Sequence, residues 1–481
     1  VANGKAVVMI IGASAIGLAL LSILWLAHSG TQGPDASDAG NDTYQTRENY
    51  AYSIGVQAYV YGLAPVIMER TERQFVATSG MGHAPVNQFG FSTELATPDS
   101  AIFVSPNEDT LYNSAWLELG REPMVLHVPD TGGRYYVEEL LDAYTNNFDS
   151  IGRRTTGTGE GDFAITGPDW NGTLPAGVQE IRSPTNTTWV VGRILVDGKE
   201  DLPAVLVLQK QFTLTPLSQF GKPGLAAGNE TLADLGKLMS SPDAQDRLEF
   251  FEELRVALKN NPPPAGEAAL MAMFSQIGLL KNETPYSDDM DPATAAGLAR
   301  AARDGEQIVT AAFASPQGSK NINGWNYSTN IGTYGYNYLA RATVAQGGLA
   351  ANVPQEAVYP KAQADSDGRP LNGANRYVLH FDGGNLPPVN AFWSVTLYNA
   401  TTYMLVPNPI DRYAIGDRTP GLKYGQDGSL DLYVQRMAPA GNESNWLPSS
   451  DGDFYLILRM YQPRQEVLNG TYPIPPVVRV E

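Results

Sequence analysis

The sequence predicts an α+β chain: two β-sandwich domains joined by a helical segment, with an N-terminal membrane-type helix ahead of them. Three observations predict it. Residues 86–221 and 372–481 hold short runs rich in β-branched and aromatic residues, such as "MVLHV", "TTWVVGRILV", "RYVLHF" and "FYLILRMYQP". Turn clusters such as "PDTGG" and "TGTGEGD" separate them. Residues 223–350 instead carry helix formers at helical spacing, as in "DAQDRLEFFEELRVALKN", with Asp or Pro at the helix starts. Finally, "AVVMIIGASAIGLALLSILWLA", Ala6 to Ala27, runs 22 residues without a charge.

In chain order, residues 1–28 read as the apolar helix. At ~1.5 Å per residue it is long enough for a ~30 Å hydrocarbon core. Cleaved leaders have apolar regions of roughly 7–15 residues, so an uncleaved span is expected. Lys5 precedes the run, and Asp35, Asp38 and Asp42 follow it without Lys or Arg. That asymmetry keeps the N-terminus inside and the remainder outside. Within the run, Gly12, Ala13, Ala15, Gly17 and Ala19 give small-xxx-small spacing, which lets helix backbones approach closely. Residues 29–45 read as a Gly/Asp/Ser/Thr linker. Residues 46–222 read as a helical hairpin, broken or kinked at Pro65, followed by the first β domain. Residues 223–350 are the helical segment and 351–481 the second β domain.

Composition narrows the function. The chain has 481 residues, 43% hydrophobic and 17% charged, enough for substantial cores. Its formal net charge of −19 argues against nucleic-acid partners, which need basic patches. There is no cysteine, which removes disulfides, thiolate nucleophiles and Cys-ligated zinc. N-x-[ST] sequons occur at Asn41, Asn171, Asn186, Asn229, Asn282, Asn326, Asn399, Asn442 and Asn469. Together they point to N-linked glycans on a cell-surface protein, and such density without disulfides suits an archaeal surface.

Catalytic machinery is thin. H-E-x-x-H, G-x-S-x-G and Walker patterns are missing. The four histidines are His28, His83, His127 and His380; the last two sit in strand patterns and read as structural. No metal or cofactor is expected. "ADSDGRP", "YGQDGSLD" and "SSDGDF" lack the EF-hand spacing and read as turns. What remains is "SPNEDTLYNSAWLEL", Ser105 to Leu119, a polar turn entering a strand. Asp109, Arg134 and Tyr112 are candidates for a catalytic cluster, with Asn107, Tyr136, Asn146 and Asn147 as ligand-binding groups. A carboxylate held by an arginine fork and amide donors stays ordered and ionised, fit to act as a base or to bind a sugar. The same Pro-Asn-x-Asp is also good turn chemistry, and both readings stay open.

Residues 50–220 resemble the domain of unknown function 1254, through "YVYGLAPV", "VSPNEDTLYNSAWLEL", "GRYYVEELLDAYTNNFDSIGRR" and "TWVVGRILVDGKEDL". Residues 360–480 resemble the domain of unknown function 1214, through "DGRPLNGANRYVLHF", "PPVNAFWSVTLYN", "NWLPSSDGDFYLILRMYQP" and "GTYPIPPV". The resemblance implies two jelly-roll-like β domains joined by a helical segment, and no secure activity.

Two functions follow as expectations. The first is a non-catalytic surface glycoprotein, a filament, coat or membrane-anchored subunit that meets copies of itself through the N-terminal helix. The second is a membrane-anchored extracytoplasmic hydrolase or lyase using carboxylate acid–base chemistry, or a protein that binds polar ligands or glycans.

Overall fold

The computed structural model describes residues 36–77, 82–99, 105–222, 248–314 and 318–480. The expected apolar helix Ala6–Ala27, with Gly12, Ala13, Ala15, Gly17 and Ala19, and the sequon Asn229 lie outside the described residues.

The chain enters through α1 (Ala36–Ala77), one helix where a linker and a hairpin were expected. Residues 36–45 are already helical, since extending a helix from a packed body needs no new nucleus. Pro65 does not break it either. Proline removes the bond that would satisfy the carbonyl of Tyr61. Arg341 supplies the missing donor, its Nη2 lying 2.8 Å from Tyr61 O. Among the described residues, Asn41–Ala77 is long and apolar enough to cross a membrane, but 67% of its most apolar window is buried inside the protein. Ile54, Ala58, Tyr61 and Val66 face the helical layer.

The first β region follows: β1 (Gly90–Phe91), β2 (Thr110–Glu118), β3 (Met124–Val128), β4 (Tyr136–Asp142), β5 (Asn147–Gly152), β6 (Gly161–Thr166), β7 (Val178–Arg182), β8 (Thr187–Leu195), α2 (Leu202–Gln209) and β9 (Thr213–Pro216). One sheet runs β1-β2-β8-β4-β5 and the other β7-β6-β3-β9. Leu111, Leu117, Leu140, Val190 and Ile194 of the first meet Leu126, Phe163 and Ile165 of the second in one core. This is the expected sandwich, with alternate residues facing inward.

The helical layer is α1 with α3 (Glu249–Asn260), α4 (Ala268–Ser275) and α5 (Pro292–Ala314). Helix α5 lies against α1 closely enough that a Cβ at Gly297 would stand 2.3 Å from Glu48 O. The end of α1 then covers the outer face of the five-stranded sheet. There Trp116 and Trp189 stack at 4.7 Å, and Met68 and Phe75 join them in one cluster.

The second β region starts earlier than residue 351. β10 (Lys320–Ile322) and β11 (Trp325–Tyr327) come from the expected helical segment and pair around Asn323-Gly324. Both turn residues have positive φ, 52° and 89°. Asn-Gly tolerates that backbone, so a tight hairpin forms where a helix was expected. After α6 (Tyr338–Gly347) come β12 (Ala357–Val358), β13 (Lys361–Ala362), β14 (Arg376–Phe381), β15 (Trp393–Asn399), β16 (Ala414–Gly416), β17 (Leu430–Gln435), β18 (Trp446–Pro448), β19 (Phe454–Tyr461), α7 (Gln465–Leu468) and β20 (Val477–Val480). The large sheet runs β10-β11-β13-β19-β15-β16, with β12 also on β19. The small one runs β18-β17-β14-β20. Trp393, Val395, Leu456 and Leu458 meet Tyr377, Leu379 and Leu432 between them.

Candidate functional site: a polar seam between the sandwiches

Each sandwich turns one sheet face away from its own core. In β15, Ser394, Thr396 and Tyr398 alternate with the core residues Trp393, Val395 and Leu397. In β19, Arg459 and Tyr461 do the same. In the first sandwich the outward positions include Tyr112, Glu139 and Arg193. The segment before β2 lies between these faces, and a polar seam results.

The turn at residues 105–109 is built by Asn107. Its Oδ1 accepts from Asp109 N at 2.7 Å, and its Nδ2 donates to Thr110 Oγ1 at 2.9 Å and Tyr461 Oη at 2.8 Å. Tyr398 Oη donates to Pro106 O at 2.6 Å. Asp109 is therefore free of the turn. Its Oδ2 accepts from Ser394 Oγ at 2.6 Å, and its Oδ1 pairs with Arg418 Nη2. Arg418 also donates to Val196 O at 2.9 Å and lies over the Phe392 ring at 4.5 Å. Arg459 donates to Thr396 Oγ1 at 2.9 Å and Ser105 O at 3.0 Å.

Two more carboxyls flank this pair. Glu108 is raised to about 8, by burial first and then by Asp109. Asp417 is raised to about 6, again by burial, with Arg418 opposing. Further along the seam, Glu139 pairs with Arg193 and accepts from Asn147 Nδ2 at 2.8 Å. Burial lifts Glu139 to about 7 against the pull of Arg193. Arg193 also lies 5.3 Å from the centre of the Tyr112 ring. Glu356, just before β12, takes Arg154 Nε at 2.6 Å and Tyr135 Oη at 2.8 Å.

The expected cluster thus divides. Asp109, Asn107 and Tyr112 reach the seam, and Asn147 joins it through Glu139. Arg134 does not: it forks onto Asp201, with Nη2 2.8 Å from Oδ1, because its strand end faces the loop before α2. Tyr136 points into the first core, edge-on to Phe212 at 5.7 Å. Asn146 holds a loop, donating to Asp142 Oδ2 at 3.0 Å and accepting from Tyr334 N at 3.3 Å. The sequence reading missed Ser394, Arg418, Arg459, Tyr461, Glu139 and Arg193. A signal existed for one of them: Arg459 is a lone charge inside the apolar run "FYLILRMY".

The remaining motifs are local. Asp365 accepts from Asp367 N at 2.9 Å and Arg369 N at 3.0 Å, a turn. His127 pairs with Asp162 at 2.8 Å and His380 with Asp431 at 2.6 Å, in different sandwiches. Among the described residues, no three His, Asp or Glu side chains are arranged to hold a metal. An open groove of about 500 Å³, lined by Asn321, Asn323, Asn326, Gln363 and Asp365, lies on the second sandwich. Of the described sequons, Asn41, Asn171, Asn282, Asn326 and Asn469 are exposed, and Asn186, Asn399 and Asn442 half-buried.

Comparison with known families places both β regions. Residues 86–216 match the protein of unknown function DUF1254, and residues 356–465 match the protein of unknown function DUF1214. The chain belongs to the DUF1254–DUF1214 family. In its terms, the DUF1254 part supplies Asn107, Asp109, Glu139 and Arg193 to the seam, and the DUF1214 part supplies Ser394, Arg418, Arg459 and Tyr461. The crystal structure of the VPA0106 protein from Vibrio parahaemolyticus is similar over 90% of this chain and 100% of that one, at a TM-score of 0.69 and 26% identity. An uncharacterized protein from Burkholderia cenocepacia overlaps 97% of this chain and 95% of its own, at a TM-score of 0.42 and 11% identity. No curated protein matches the chain.

Proposed function

We propose that this DUF1254–DUF1214 chain is a structural glycoprotein of a cell surface. It is a rigid two-sandwich body that assembles with copies of itself, or is held at a membrane, through the stretch Ala6–Ala27. One observation carries the reading. The polar side chains that meet between the sandwiches bind each other: Asp109 holds Arg418 and Ser394, Asn107 holds Tyr461, and Glu356 holds Arg154 and Tyr135. Groups so paired fix the two halves in one geometry, which suits a subunit that must keep its shape. The exposed or half-exposed sequons are compatible with N-linked glycans.

The test compares the whole chain with one beginning at Ala36, by light scattering and electron microscopy, and weighs protein from the native host. Assembly of the whole chain alone, its disruption by Gly17→Leu with the body still folded, and a mass above 51.9 kDa support the proposal. Identical particles from both chains, with a mass equal to the bare polypeptide, sink it.

The second reading, an extracytoplasmic acid–base enzyme, is favoured by one observation. Glu108 and Asp417 flank the Asp109–Arg418 pair with carboxyls raised to about 8 and about 6. Two acids held near neutrality beside an arginine are the kind of pair that moves protons at a substrate. Hydrolysis of a glycoside or ester panel that disappears in Glu108→Gln, with assembly intact, selects this reading.

A further inference from the structure

Glu138 is a carboxyl that the seam does not use. It is fully buried on the core face of the first sandwich, between the core residues Tyr136 and Leu140. Strand register puts it in one row with Gly192 of β8 and Asn113 of β2, with Gly192 in the middle. Because residue 192 has no side chain, its two neighbours meet above it. A Cβ there would stand 2.0 Å from Asn113 Oδ1 and 2.4 Å from Glu138 Oε2, so both oxygens converge on one spot.

Half of the contact between them is made: Asn113 Nδ2 donates to Glu138 Oε1 at 2.8 Å. The other half consists of two acceptors. Asn113 Oδ1 and Glu138 Oε2 are both buried and have no partner. Two facing lone pairs in an apolar core have lost their water and gained nothing for it. A single proton on Oε2 cures both faults, because Oε2–H then donates to Oδ1. The acid and the amide close a ring of two hydrogen bonds.

We infer that Glu138 carries this proton and is joined to Asn113 across Gly192, so that the sheet backing the seam is fastened by a bond that opens when the proton leaves to solvent base. The facing sheet contributes Met124, Leu126, Val128, Phe163 and Ile165 to this core. Arg193 and Glu139, one favouring the anion and the other opposing it, act from the outer face of the same sheet, and Tyr136 is the titratable neighbour on β4. Burial outweighs them and raises the carboxyl to about 8 from an ordinary 4.5. The sign follows: the folded form holds a proton that the unfolded form has lost. The stabilisation is whole below about 4.5, declines as pH rises, and is spent above about 8. Above that point a charge stands directly beneath Arg193 and Glu139, which links a core proton to the seam.

The test is Glu138→Gln, whose amide preserves both hydrogen bonds and cannot ionise. At about pH 6, the wild-type-minus-variant infrared spectrum should contain the carbonyl band of a protonated carboxylic acid. That band should vanish with a midpoint near 8. The wild type should also lose stability relative to the variant by up to about tenfold in the unfolding constant per pH unit between about 5 and 8. Absence of the band, or a ratio indifferent to pH, overturns the inference. Should the variant fail to fold, hydrogen exchange on the wild type decides. Protection of the β2, β4 and β8 amides, corrected for intrinsic rate, should fall as pH passes about 8, and flat protection overturns it.

Discussion

Arg418 of the second sandwich grips Asp109 of the first, 309 positions earlier in the chain. The Asp109 side chain is 5% exposed and that of Arg418 20%. Removing one member leaves the other as a buried, unpaired charge. Arg418→Met is therefore expected to cost about 3–5 kcal/mol. Adding Asp109→Leu should return part of that loss, because the pair together is worth less than either orphan costs. A urea-denaturation double-mutant cycle checks this; additive losses contradict it.

Pro65 and Arg341 form a second testable pair. Arg341→Met leaves Tyr61 O without its donor, at a cost of about 1–3 kcal/mol. In a Pro65→Ala background residue 65 regains its N–H and serves that carbonyl itself, so the same Arg341 change should cost less. Thermal melts of the four proteins measure the difference. Equal costs in both backgrounds would show that the arginine does nothing for the helix.

Gly297 sets the distance between α1 and α5. Because its Cβ would lie 2.3 Å from Glu48 O, and a backbone atom yields little, Gly297→Ala should force the helices apart. A loss of roughly 1–3 kcal/mol is expected, despite the better helix propensity of alanine. A rise in the melting temperature contradicts this packing.

Stability should rise on mild acidification. Glu108, Glu139 and Asp417 are raised by burial to about 8, about 7 and about 6. Each holds a proton in the folded chain that the unfolded chain releases near 4.5, or near 3.8 for the aspartate, so lowering the pH from about 8 to about 5 favours folding. The net charge of −19 acts in the same direction as it is neutralised. Asp201 runs the other way. Arg134 holds it below 3.8, so its contribution is present above that value and is lost as pH falls through its folded value. Urea midpoints should climb from pH 8 to pH 5 and then drop in stronger acid; a monotonic decline from pH 8 downward rules this out.

Strand patterns made both sandwiches legible, because alternation of core and outward residues is local and β15 and β19 display it plainly. The helix start at Ala36 and the passage through Pro65 were not legible: the first extends from the packed part of α1, and the second depends on Arg341, far away in the chain. Asn323-Gly324 is a local signal, since those two letters favour a hairpin by themselves. At the seam, Asn107 and Asp109 stood out as polar residues before a strand. Their partners could not be read off. Arg134 is close in sequence and charged like Arg418, and only the folded geometry separates the two.

Strand β19 is synthesised after every strand it pairs with, for β12, β13 and β15 all precede it and hydrogen-bond to it. The strands of the first sandwich are complete once Pro216 emerges, so that unit is free to fold early. The second unit has no such freedom, for its large sheet lacks a centre until residues 454–461 arrive. A nascent chain, whether leaving a ribosome or threading a pore, therefore passes through a long interval with apolar edges on display. A stop codon shortly before Phe454 would leave β12, β13 and β15 without the strand they share.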